Sequence, residues 1–261
     1  MKVLVTGGAG SLGRRVVRAL AGEGHAARVM SRREPAQSAP AGVEWARAGL
    51  VTGEGVGAAV EGVEVVIHAA SDPRRAEAVD VEGTRRLTAS ARAAGVSHLV
   101  YISIVGVDEI PLGYYRRKLA AERIIESSGV PHSVLRATQF HTLVDFLLAK
   151  AARVPLLMPL PTDIKFQSVD ETEVAARLAA CAGAGPRGRL PDFGGPSVRT
   201  LGEMARDWKR ARGVGKRVVH LPIPGAVARA FRAGKNTAPG GERGLTSWEE
   251  WLARRGRAGG F

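Results

Sequence analysis

The chain has 261 residues, 45% of them hydrophobic and 24% charged, which suits one large α/β domain or a domain with a small appended lobe. A single cysteine, Cys181, excludes an intramolecular disulfide and any multi-cysteine metal centre. The six histidines have no metal-ligand spacing, and no apolar run approaches the roughly 18 residues of a membrane span, so neither a metal nor a membrane partner is expected. The formal charge of +13 rests on 31 arginines and seven lysines that are dispersed rather than clustered. Weak attraction to polyanions follows from that charge, but no recognition module for a specific nucleic acid is present. The N-terminus lacks the apolar core of a signal peptide, and a cytoplasmic location is the expectation.

Val3, Leu4 and Val5 predict a short buried strand running straight into the turn Thr6-Gly7-Gly8-Ala9-Gly10-Ser11-Leu12-Gly13. A helix through Val16, Val17 and Leu20 follows. Residues without a Cβ let the backbone turn tightly and approach a pyrophosphate, whose charge sits among the unpaired N–H groups of a helix N-terminus. The position of the glycines between a strand and a helix points to a dinucleotide site.

A second strand over residues 26–30 ends in Ser31-Arg32-Arg33. An acid at this place would hold the ribose 2′-hydroxyl of NAD. Here a hydroxyl and two guanidiniums favour the 2′-phosphate of NADP, with surface arginines as the plainer alternative and NAD left open. Residues 34–42 read as a polar, proline-bearing loop, 43–46 as a third strand and 56–60 as a short helix. Val65, Val66 and Ile67 suit a central parallel strand leading to His68-Ala69-Ala70-Ser71, where small residues would admit a flat ring and its ribose. His68 is either a cofactor contact or a hydrogen-bonded strand-end histidine. A long helix is expected over residues 76–94, with Val79, Gly83 and Leu87 on one face, and a strand over 99–102 ends at Ser103.

In the helix expected over residues 113–125, Tyr114 and Lys118 lie four apart on one face that Ala121 and Ile125 continue inward. An ammonium beside a phenol lowers its pKa and suits it to general acid catalysis at a carbonyl. A core tyrosine and a lysine paired with Glu122 is the alternative. A strand over 133–135 precedes Arg136, and a helix over 142–151 is expected to bury Leu143, Phe146 and Leu147. The proline-rich residues 154–161 break the alternation, which divides the chain into residues 1–153 and a smaller lobe, 154–261, interleaved with it. Asp170-x-x-Glu173, Thr200-x-x-Glu203 and Thr246-x-x-Glu249 read as capping boxes opening three helices.

Together, Thr6-Gly7-x-x-Gly10-x-x-Gly13, His68-Ala69-Ala70, Val81-x-Gly83-Thr84, Tyr114-x-x-x-Lys118 and Val134-Leu135-Arg136 resemble the short-chain dehydrogenase/reductase superfamily. The likeness is to its extended and atypical branches, NmrA-like proteins included. It covers about residues 1–141 and implies a doubly wound parallel sheet (a Rossmann fold) that binds NAD(P), with the C-terminal lobe covering a substrate. By the same resemblance, the cofactor would lie on Thr6, Gly7, Gly10, Ser11, Leu12, Gly13, Ser31, Arg32, Arg33, His68, Ala69 and Ala70. Tyr114 would exchange the proton at the substrate oxygen, Lys118 would hold the ribose and tune the phenol, and Ser103 would hold the oxygen. The chain departs from the pattern in Ala48-Gly49-Leu50, where relatives often carry an Asp, and in Asp80, where they often carry Asn. Ser103 is also closer to Tyr114 than in catalytic members. The expected function is NADP-dependent hydride transfer at a carbonyl or hydroxyl of a small molecule, with a homodimer left open. The alternative is a non-catalytic NADP-binding sensor of NmrA type.

Overall fold

The computed structural model describes residues 1–33 and 42–257, so the expected loop over 34–42, apart from Gly42, lies outside the described residues. Two compact units make up the chain, each drawn from three stretches. The first comprises Met1–Ser103, Gly113–Arg136 and Thr172–Leu190, and the second Ile104–Leu112, Ala137–Glu171 and Pro191–Phe261. The position expected to divide the chain, after residue 153, falls inside the second unit's middle stretch.

The first unit is an α/β fold built on parallel strands β1 (Lys2–Thr6), β2 (Ala26–Ser31), β3 (Glu44–Arg47), β4 (Val65–His68), β5 (His98–Ile104) and β6 (His132–Ala137). Their order is β3-β2-β1-β4-β5-β6. Val3, Leu4, Val5, Val66, Ile67, Leu99 and Val100 are fully buried, as strands covered on both faces require. The connecting helices are α1 (Ser11–Gly22), α2 (Val56–Val60), α3 (Gly83–Ala93) and α4 (Gly113–Ser127). Leu12, Val16, Val17 and Leu20 form the buried stripe of α1, and Leu87, Ala91, Ala121 and Ile125 pack from α3 and α4 with Leu4 and Val66 of the sheet. The chain leaves β1 to one side for β2 and returns to the other for β4, and a crevice at the carboxyl ends of the strands follows from that reversal.

One expected element differs in kind. The helix predicted over residues 76–94 starts as a π-helical segment, Glu77–Glu82, and becomes α-helical only in α3. The wider turn directs Asp80 and Val81 inward, where both are buried.

In the second unit, α5 (His141–Ala151) buries His141, Val144 and Leu148. Leu143 and Phe146 are exposed, contrary to the expected inward face. The unit's core takes the stripe one residue further along, with Val144 and Leu148 against Met158, Met204, Trp208 and Trp248. Strand β7 (Leu157–Leu160) pairs in parallel with Arg217–His220. The capping box Thr200/Glu203 is formed at the helix Leu201–Arg212. At the helix Trp248–Arg257 the reciprocal pair is Ser247/Glu250, one residue beyond the expected Thr246/Glu249.

The glycine turn is fixed by space as much as by torsion. Gly7 has φ +66°, and a Cβ there would stand 2.8 Å from the Cα of Ala70. At Gly13 a Cβ would stand 2.1 Å from the carbonyl oxygen of Gly7, so α1 can dock on the turn only without a side chain. At Gly10 the nearest atom is the same oxygen at 3.0 Å. Gly13→Ala is therefore expected to cost about 1–3 kcal/mol in urea unfolding, as overpacking does, while Gly10→Ala shifts the midpoint far less. Equal losses at the two positions would contradict this account.

Candidate functional site

A cavity of about 340 Å³ opens in the first unit. The glycine turn lines one side through Gly7, Ala9 and Gly10, and the end of β4 lines another through Ala69, Ala70 and Ser71. Beside them the N-terminus of α1 has no side-chain cap, because its N-cap residue is Gly10. Peptide N–H groups and the positive end of a helix dipole thus meet a wall of glycine and small side chains, which fits a pyrophosphate. Ser11, Leu12 and Gly13 form the first turn of that helix.

Ser31, Arg32 and Arg33 line the same cavity from the end of β2. The Ser31 hydroxyl accepts the Arg33 N–H at 3.0 Å, and Trp45 Nε1 donates to the Arg33 carbonyl at 2.7 Å, so the backbone that carries both guanidiniums is held. Ala48, Leu50 and Val51 supply an apolar wall where relatives often carry an acid.

His68 and Thr6 do not line the cavity; both are fully buried. The hydrogen bonds around them have one consistent direction. The Ala70 N–H donates to Thr6 Oγ1 (3.2 Å), whose proton goes to His68 Nδ1 (2.7 Å). His68 Nε2–H donates to Thr84 Oγ1 (2.9 Å), whose proton goes to the Asp80 carbonyl (2.5 Å). The imidazole is neutral, since burial, assisted by the Lys118 charge, pushes its pKa down to about 3. These two side chains tie β1, β4 and α3 together behind the cavity, and of the two readings of His68 the hydrogen-bonded strand-end histidine is the one seen.

Tyr114, Ser71, Asp80 and Lys118 form a second chain. Ser71 Oγ donates to Asp80 Oδ1 at 2.5 Å, so the Tyr114 hydroxyl donates to Ser71 Oγ at 2.7 Å. Asp80 Oδ2 also accepts the Asp72 N–H at 3.2 Å, and Lys118 Nζ lies 3.8 Å from Asp80 Oδ1. Lys118 is 3% exposed, donates to the Ile102 carbonyl at 2.9 Å and sits 4.2 Å from the centre of the Tyr101 ring. Burial lowers its pKa to about 8 against the opposing pull of Asp80 and Glu122.

The expectation that Lys118 would lower the Tyr114 pKa is therefore overturned. Burial raises the phenol pKa, and the Asp80 carboxylate raises it further, while the hydrogen bond with Ser71 opposes the shift. Lys118 is taken up by Asp80 and a backbone carbonyl rather than directed at the cavity. Ser103 is buried, and its hydroxyl has no hydrogen-bond partner among the described residues. Glu122, the other expected partner of Lys118, instead makes a bidentate pair with Arg136 at 2.9 and 2.7 Å, fastening α4 to β6. Ser71 and Asp80 were not among the expected site residues. Asp80 stood out only as a departure from Asn, and Ser71 only as the residue after the Ala-Ala pair.

A family profile described as NAD(P)H-binding matches residues 7–182. The chain belongs to that family. The resemblance to the short-chain dehydrogenase/reductase superfamily expected from the sequence is in keeping with that family. The chain is 30% identical over 251 residues to the (4-alkanoyl-5-oxo-2,5-dihydrofuran-3-yl)methyl phosphate reductase of Streptomyces griseus subsp. griseus, covering 95% of this chain and 86% of the relative. With quinone oxidoreductase 2 of Escherichia coli the identity is 25%, over 81% of this chain and 74% of the relative. Among solved structures, the NADPH-dependent quinone oxidoreductase QOR2 of Escherichia coli, complexed with NADPH, matches with a TM-score of 0.75 at 21% identity. That match covers 97% of this chain and 99% of the other, a likeness of fold. The family member described here is an NAD(P)-binding protein among whose relatives are named reductases and oxidoreductases, and no helix among the described residues is long and apolar enough to cross a membrane.

His68 makes the stability of the first unit sensitive to mild acid. Its folded pKa lies below the unfolded value, so below pH 6.5 the unfolded chain binds a proton that the folded chain refuses. Stability is intact above pH 6.5 and falls by about 1.4 kcal/mol per pH unit from this group as pH drops towards 3. Urea midpoints of the parent and His68→Gln between pH 7.5 and 5 should show a steeper loss in the parent. Burial lowers His98 as well, and its contribution is common to both proteins. Parallel curves would show that His68 is not held neutral.

Proposed function

We propose that the protein is an NADP(H)-dependent reductase acting on a carbonyl of a small organic molecule, with Tyr114 as the proton donor. The observation that carries this reading is the Tyr114–Ser71 hydrogen bond, because Ser71 lines the same cavity as the glycine turn. The turn and the uncapped N-terminus of α1 would hold the pyrophosphate, and Arg32 and Arg33 with Ser31 would take the 2′-phosphate. Bound there, NADPH would supply the hydride.

The chain's own part is the proton. A phenol whose pKa is raised by burial is fully protonated at neutral pH, which is the state a donor to a developing alkoxide needs. Ser71, its own hydroxyl proton directed at Asp80, accepts the hydrogen bond of the phenol and orients it, and the phenolate left behind takes its next proton from solvent at this exposed pair. Lys118 would act by pairing with Asp80 and fixing that carboxylate rather than by holding a ribose. Leu50, Val51 and Val79 make part of the cavity apolar and limit water near the reacting atoms. The regulatory alternative gains no support from relatives that are named reductases.

Two outcomes are expected. Purified protein should bind NADPH at least about tenfold more tightly than NADH, and Arg32→Ala should remove most of that difference by losing charge-assisted bonds. Equal affinities in the parent would remove the ground for NADP.

Against a panel of quinones, furanones and 3-oxo compounds, Tyr114→Phe should lower turnover by about 10²–10⁴-fold and leave the NADPH dissociation constant nearly unchanged. Full turnover in Tyr114→Phe would refute the assignment. A parent that binds NADPH but turns over nothing on the panel, and whose NADPH affinity Tyr114→Phe leaves intact, would favour the sensor.

A further inference from the structure

Of the twelve large hydrophobic side chains exposed among the described residues, eight fall in two short stretches of the second unit, residues 143–157 and 219–223. The two stretches adjoin. Leu157 pairs with Arg217 and Val219 with Pro159 across the two-stranded ribbon. The Lys216 ammonium bonds the carbonyls of Ala152 (2.5 Å) and Val154 (2.9 Å), and the Leu221 N–H bonds the Leu160 carbonyl (2.8 Å). One side of the ribbon, carrying Met158 and Leu160, is buried in the core, and Leu157 and Val219 on the other side are exposed.

At the centre of this face stands Leu156. It is 85% exposed, and with φ 62° it is the one residue other than glycine with positive φ among the described residues. The Leu157 N–H bonds the Pro155 carbonyl at 2.7 Å, so Leu156 forms the apex of a three-residue turn, a costly conformation for a side-chain-bearing residue. The fold keeps a strained backbone here and displays a leucine to solvent. Phe146, 62% exposed, stands on α5 four residues before Lys150, on one side of that helix, and Arg153 follows just beyond the helix end.

The charge around these side chains is mostly of one sign. Residues 143–157 and 213–232 contain Lys150, Arg153, Lys216, Arg217, Arg229 and Arg232 and a single acid, Asp145, while the exposed Asp163 nearby pairs with Arg232. Asp145 is nearly buried, paired with Arg212 and bonded by Trp208. An apolar patch rimmed by cations fits a surface that is apolar inside and anionic at its boundary. A second copy of the same face does not, because a twofold interface would set cations against cations.

We propose that this face docks the protein on an anionic lipid bilayer. Leu156 and Phe146 enter the boundary between headgroups and acyl chains, and Lys150, Arg153 and Arg217 meet the lipid phosphates. Docking of this kind needs no membrane span.

The test is sedimentation of the full chain with vesicles of phosphatidylcholine alone or mixed with phosphatidylglycerol. Binding is expected to the mixed vesicles, to weaken as salt is raised, and to be at least about tenfold weaker on phosphatidylcholine alone. Leu156→Gly should weaken binding to mixed vesicles by about tenfold while the unfolding midpoint holds or rises, since glycine accepts positive φ without strain. Phe146→Ser should weaken vesicle binding similarly, and NADPH affinity, measured as a control on folding, should not change in either variant. No sedimentation with anionic vesicles would overturn the proposal. So would undiminished binding by both variants, or a dimer in sedimentation velocity that Leu156→Gly dissolves.

Discussion

A carboxylate removed from water must find partners, and Asp80 gathers much of the first unit's polar chemistry around it. Its two oxygens take the Ser71 hydroxyl and the Asp72 N–H, and its backbone carbonyl takes Thr84. Lys118 approaches from α4 to 3.8 Å. Thr84 in turn sets the tautomer of His68, and His68 holds Thr6 at the mouth of the glycine turn. One buried residue, through its carboxylate and its backbone carbonyl, therefore connects the turn to the tyrosine on α4. The π-helical segment makes this possible, because it is the element that turns Asp80 inward.

The same constraint accounts for what Lys118 does. A lysine beside a tyrosine can lower the phenol's pKa only if its charge is nearer the phenol than a compensating anion is. Here the anion intervenes. Asp80 lies close to both groups, so the field at Tyr114 favours the neutral phenol, and burial adds to it. A donor of this kind keeps its proton until a stronger base, such as an alkoxide forming on the substrate, demands it. Its rate then depends on how well Ser71 places it.

The strands and the turn were legible because they are determined locally. Val3-Leu4-Val5 and Val65-Val66-Ile67 are β-branched or leucine runs that only a sheet covered on both faces would bury, and glycines at 7, 10 and 13 signal close backbone approach. Tyr114 and Lys118 were legible as neighbours on a helix for the same reason. Their partners were not. Ser71 and Tyr114 are 43 residues apart, and the bond between them depends on how β4 and α4 pack, which no spacing encodes. The π-helical start of the expected helix was hidden too, since residues 76–94 carry an ordinary helical period. On α5, Leu143 and Phe146 obey the rule that apolar residues go inside, yet they lie outside. A pattern with apolar residues on more than one side of a helix does not say which side the core will take.

The glycine turn also bears on how such a chain can change over generations. Gly13 has no room for a single carbon, because the carbonyl of Gly7 is already there, whereas Gly10 faces the cavity with one near neighbour. A lineage drifting away from dinucleotide chemistry could discard Gly10 while keeping its architecture, but Gly13 would persist as a relic of packing. Among descendants of this fold, a side chain at the tenth position is thus the earlier and more informative mark of a lost cofactor, and a glycine at the thirteenth says little about whether one is still bound.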